Sequence, residues 1–191
     1  MIFRAILLLW LFLSPALASA DDGLLDLSTD RNTGQVILQF DTLPAEYLYV
    51  PALESGVGSN DLGFDRGQLD RTRLIRFERY GNRVLMLEPN LMFRASSENV
   101  QEQRAVREAF AQSVLAGFEM IDPGEGPVKI DLAPFLLTDV RRLSSQITEL
   151  EQGTFEVDPE RSAVDHGAIR NFPANTLIPV VLTLKGTEPG D

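Results

Sequence analysis

The chain has no cysteine, a single histidine (His166) and only two lysines, Lys129 and Lys185, in 191 residues. Without cysteine there is no disulfide and no thiolate metal site. One histidine leaves carboxylates as nearly the only source of further metal ligands. No HExxH, GxSxG, SxxK or Cys–His arrangement is present. The one apolar run, within the first twenty residues, is too short to span a bilayer, and no other segment comes close. Positive charge is short as well. The formal net charge is −11, which disfavours nucleic acid and anionic lipid as partners.

What is present begins with a leader. Arg4 supplies a positive start, Ile6 to Leu13 an apolar core, Pro15 a break and Ala18-Ser19-Ala20 a small-residue cleavage site. Residues 1–20 are therefore expected to be a signal peptide, with the mature chain starting at Asp21; a retained membrane anchor is the alternative. Secreted or periplasmic localisation follows, with no membrane attachment after cleavage. At 44% hydrophobic residues, residues 21–186 suffice for one domain with a core of its own. Thr187 to Asp191 (TEPGD) reads as a linker-like end.

Hydrophobic spacing gives the elements. Strands are expected at Gln35 to Phe40, Tyr47 to Val50, Val128 to Leu132 and Leu177 to Leu184, where Pro179 favours a sheet edge or a bulge. Arg73 to Glu78 alternates, with Ile75 and Phe77 on one face. Arg83 to Glu88 carries the unbroken run Val84-Leu85-Met86-Leu87 of a strand covered on both faces. Gly81-Asn82 between them suits a two-residue hairpin turn. Val106, Phe110 and Val114 recur every four residues, so Val100 to Ala116 reads as an amphipathic helix, capped by Asn99 with Glu102 and stopped at Gly117. The expected core joins Ile75, Phe77, Val84 and Met86 to Val106 and Phe110. Pro134 to Leu150 is a weaker helix, with Asp139 and Arg142 at helical spacing, and Gly153 to His166 is loop. The expected class is α+β: a sheet-rich single domain with a central β-hairpin and one or two packed amphipathic helices.

Candidate sites are few. His166 beside Asp165 is a conceivable metal-ligand pair, against the reading of a plain loop histidine. Asp61, Asp65 and Asp70 carry oxygen ligands suited to calcium, but not at EF-hand spacing, and Asn and Asp also favour turns for their own backbone bonds. Gly56-x-Gly58 leaves GxGxxG incomplete, because Asp61 holds the last glycine position. Tyr47-Leu48-Tyr49 reads as a core strand, with a partner surface as the alternative. No residue set earns a catalytic, cofactor or metal role.

Several separated blocks carry a family likeness: GSNDLGFDRGQL (Gly58 to Leu69), RFERYGNRVLMLEPN (Arg76 to Asn90), FRA (Phe93 to Ala95), AVREAFAQSVLAGFEM (Ala105 to Met120), PERSAV (Pro159 to Val164) and NFPANT (Asn171 to Thr176). In this order they resemble the N-terminal domain of secreted bacterial zinc-dependent metallopeptidases. That domain is of unknown function and precedes a metzincin-like HExxH catalytic domain. The resemblance implies a non-catalytic accessory or scaffold domain of such a peptidase, with the downstream peptidase domain as its partner and zinc only in that missing part. It also implies a leading fragment of a longer protein. A stand-alone extracytoplasmic binding module is the alternative, and a carboxylate-only enzyme a third reading. Oligomeric state is not legible.

Overall fold

A computed structural model describes residues 23–56, 61–93 and 98–186. The expected signal peptide, the linker-like end and Gly58 lie outside these residues.

The centre is a seven-stranded antiparallel sheet. Its strands are β1 (Asp26–Asp30), β2 (Gln35–Phe40), β3 (Ala45–Tyr49), β4 (Arg73–Tyr80), β5 (Arg83–Glu88), β6 (Ser113–Ile121) and β7 (Val128–Asp131). They lie in the order β1-β2-β7-β6-β5-β4-β3. In a flat sheet, five inter-strand steps would separate β2 from β3 by about 24 Å. The link from Phe40 to Ala45 reaches about 17 Å at most. The sheet must therefore curl, and Phe40 on β2 meets Phe77 on β4 across the concave face, ring centroids 5.0 Å apart.

Alternation places the core on that face. Val36, Leu38 and Phe40 of β2, Ile75 and Phe77 of β4, Val84 and Met86 of β5, Phe118 of β6 and Ile130 of β7 are all buried in one cluster. The expected strands at Gln35 to Phe40, Tyr47 to Val50 and Val128 to Leu132 are thus present, with small shifts of boundary. The hairpin is as expected: Tyr80 pairs with Arg83, and Gly81 takes φ 61°, which a side chain resists. Leu87, on the convex side, is also buried, as the two-faced run in β5 implied.

The helices are where expectation and structure part. Helix α1 spans Val100–Ala109 and not Val100 to Ala116, although Asn99 does cap it, its side chain accepting from Gln101 N at 2.9 Å. Val114 lies in β6 and Gly117 is mid-strand, not a helix stop. A Cβ on Gly117 would stand 3.2 Å from Leu85 Cδ2 of the neighbouring strand, so the glycine makes room for Leu85. Tertiary pairing wins here: β5 needs a partner on its second edge, and Leu85 pairs with Gly117. Phe110 does not join the core. It is 38% exposed and stacks on Phe93 at 3.9 Å, while Val106 is only half-buried. The protein is accordingly mostly β within the broad α+β class.

Pro134 to Leu150 holds two short helices, α2 (Ala133–Leu136) and α3 (Leu143–Glu149). Asp139 and Arg142 lie between them. Asp139 accepts from the N–H groups of Leu143 and Ser144, both at 2.8 Å, and so starts α3. Arg142 has φ 56°, which breaks the helical path that the spacing suggested.

The remainder is an arm. β8 (Phe155–Val157), β9 (Ala163–Val164) and β10 (Arg170–Asn171) run out, and β11 (Thr176–Leu177), β12 (Val180–Val181) and β13 (Leu184–Gly186) run back. The pairs β10–β11, β9–β12 and β8–β13 are nested rungs of one interrupted hairpin. Gly153 to His166 is thus not simply loop, and Leu177 to Leu184 is not one strand. Pro179, which cannot donate to a ladder, sits between two rungs. Val164 enters the main core, while Leu177 and Val181 stay exposed.

Candidate functional site: the cleft under the arm

Where the arm crosses the open end of the sheet it leaves a cleft of about 510 Å³. Three separated segments wall it. Arg31 and Thr33 come from the β1–β2 turn, Asp131, Pro134 and Leu137 from the passage of β7 into α2, and Val164 and His166 from the arm. Pro134, Leu137 and Val164 make an apolar wall. Arg31, Asp131 and His166 supply the charged and polar groups.

Each polar group has a local reason for its position. Asp131 Oδ1 accepts from Val36 N at 3.1 Å and from Ala133 N at 3.0 Å, tying β2 to the start of α2. Its Oδ2 has no hydrogen bond with another described residue. Arg31 is exposed and makes no ion pair or hydrogen bond with any described side chain. Nδ1 of His166 is shielded from solvent and has no hydrogen-bond partner among the described residues, an uncommon state for a buried polar atom. Asp30, next to Arg31, is held below its ordinary carboxyl value chiefly by the Asn32 N–H, and nearby His166 acts in the same direction.

The structure does not bring the other candidate residues together into a site. Asp165 turns away from a ligand role: its Oδ1 accepts from Gly167 N at 3.1 Å and from Ala168 N at 3.3 Å, closing a turn. Asp70 is spent on Arg71 N at 2.7 Å and Arg73 Nη2 at 3.2 Å. Asp61 and Asp65 are exposed. Among the described residues no three His, Asp or Glu side chains gather as a metal centre. Gly56 packs against the backbone of Phe64 and Arg66, a structural reason for its lack of a side chain. Tyr47 and Tyr49 pack against the core, as the core-strand reading expects, and Leu48 between them faces solvent. Sequence reasoning missed the cleft, since Arg31, Asp131 and Pro134 are distant in the chain and form no motif.

A family model described as "Domain of unknown function (DUF5117)" matches residues 67–191, about two-thirds of the chain. The chain belongs to that family. No curated protein matches it, and no solved structure does.

Proposed function

We propose that this protein is a non-catalytic accessory domain of a secreted zinc-dependent metallopeptidase and works by packing against the peptidase unit. The sequence blocks that resemble such proteins motivate the reading. One observation carries it. Leu91, Met92 and Phe93 ahead of α1, Phe110 at its end and Val114 just beyond are all exposed, Met92 at 84%. On an otherwise acidic surface, exposed large apolar side chains on the segments flanking one short helix, with Phe93 stacked on Phe110, support a packing face for a partner. Within-chain interfaces of about 600–1,500 Å² would cover a patch of this kind. Hydrolysis through zinc requires an open metal position and a general base, and the peptidase unit would supply both.

The test is co-elution on size exclusion with a separately expressed zinc peptidase domain, taken from downstream of this reading frame if one is encoded there. Wild type is expected to form the complex and Met92→Asp with Phe110→Asp to abolish it. Separate elution of the wild-type domains would sink the reading. So would chelator-sensitive casein cleavage by this chain alone.

A further inference from the structure

The arm cleft is a site that the accessory reading does not use. We propose that it binds the carboxylate end of an apolar molecule, best a peptide C-terminus. Such a terminus offers three groups: a carboxylate, the N–H of the same residue on the neighbouring Cα, and a side chain. The cleft offers a match for each. Arg31, free of any ion pair with the described residues, presents the planar fork that takes a carboxylate in two hydrogen bonds. The imidazole of His166 lines the same space, and its Nδ1 has no hydrogen-bond partner among the described residues. Asp131 is already fixed through Oδ1 by two backbone N–H groups, so its Oδ2 is held in place to accept from a peptide N–H. Pro134, Leu137 and Val164 form the apolar wall for the side chain. A volume of about 510 Å³ lies in the range of small-ligand sites, mostly apolar with a few fixed polar groups.

Both walls of the cleft are rigidly held. The arm side is stapled at Asp158, whose N–H donates to Thr183 O at 2.8 Å and whose Oδ2 accepts from Arg161 Nε at 2.7 Å. The sheet side is fixed by Asp131. Ordering costs on binding are therefore small. Nearby Asp30 and Asp131 repel a bare anion, which is why an N–H donor beside the carboxylate matters. A peptide terminus has that donor and a simple acid lacks it.

The single histidine makes the test direct, because ¹³C-labelled histidine gives one set of ring signals, all from His166. The chain from Asp21 onward, which retains every described residue, is titrated with acetyl-Ala-Ala-Leu, with the same peptide amidated at its C-terminus, and with hexanoate. The free-carboxylate peptide is expected to move the His166 signals to saturation with a Kd near 1 mM or below. The amide, and Arg31→Ala with the acid peptide, should each bind about tenfold weaker. Hexanoate should bind more weakly than the peptide; equal or tighter binding would overturn the peptide assignment in favour of a simple acid. No shift at about 10 mM peptide, equal binding of acid and amide, or unchanged affinity in Arg31→Ala would overturn the site. Arg31 is exposed, so its loss leaves the fold intact.

Discussion

Phe77 and Phe110 are both aromatic members of an apolar pattern, yet their surroundings differ. Phe77 touches Phe40 at 5.0 Å and Tyr47 and Phe118 at 6.2 Å each, and is 4% exposed. Phe110 has one stacked partner and faces solvent on its other side. Phe77→Ala should therefore cost about 3–5 kcal/mol in denaturant unfolding. Phe110→Ala should cost about 1 kcal/mol, the worth of an aromatic pair. Equal losses would mean that Phe110 is buried after all. A second residue-scale expectation concerns acid. The Arg161 guanidinium holds the Asp158 carboxyl below its ordinary value of 3.8, with the Glu160 N–H adding to the effect. Since the folded value is the lower one, the stabilisation is complete above pH 3.8 and fades as pH falls through the folded value. Unfolding midpoints of wild type and Asp158→Asn should thus differ at pH 6 and converge on going from about pH 4 to pH 2. A gap that stays constant would assign the loss to packing and not to charge.

At the scale of elements, the chain announced its hairpin and central strands plainly, since alternation in Ile75-Arg76-Phe77 and the run Val84 to Leu87 reflect the sheet's two faces directly. It hid α1's end because Val106, Phe110 and Val114 satisfy a four-residue spacing by accident. The competing signal was there: Phe118, Met120 and the polar Glu119 between them alternate as a strand does. The arm was illegible for another reason. Its rungs are two or three residues long, too short to show a period, and only pairing with a returning strand defines them. The cleft shares this origin, because it exists only once the arm folds back. One element also carries a liability. Among the described residues β3 pairs with β4 alone, and its Leu48 is 74% exposed. Open strand edges with apolar side chains recruit other strands. Leu48→Lys is expected to lower concentration-dependent light scattering while leaving the unfolding midpoint within about 0.5 kcal/mol. Unchanged scattering would show that this edge is not where chains associate.

At the scale of the molecule, the family span and the folding unit do not coincide. The matched residues 67–191 contain β4 to β7, the helices and the arm, but not β1, β2 or β3. β2 lies between β1 and β7, and its Val36, Leu38 and Phe40 are among the most buried side chains in the protein. Removing them would bare Ile130 and Phe77 and leave one edge of β7 without a partner. The N-terminal segment is tied at a second place. Asn171, at the tip of the arm, accepts from Leu25 N at 3.3 Å and donates to Leu25 O at 2.6 Å, while Leu24 N donates to Phe172 O at 2.8 Å. Thr176 Oγ1 holds the Asn171 side chain in that position at 2.6 Å. The beginning of the described chain and the arm near its end thus close on each other, and the curled sheet lies between. Three lost inward side chains at about 1.5–3 kcal/mol each equal much of the stability of a typical domain. A chain cut to begin at Gly67 is therefore expected not to fold: it should lack near-ultraviolet circular dichroism and a cooperative thermal transition, both of which the chain from Asp21 should show. Asn171→Ala in the longer chain should keep the cooperative transition but speed amide exchange at Leu24 and Leu25. A cooperative fold for the chain from Gly67 would mean that β1 to β3 are an addition to the core and not a part of it.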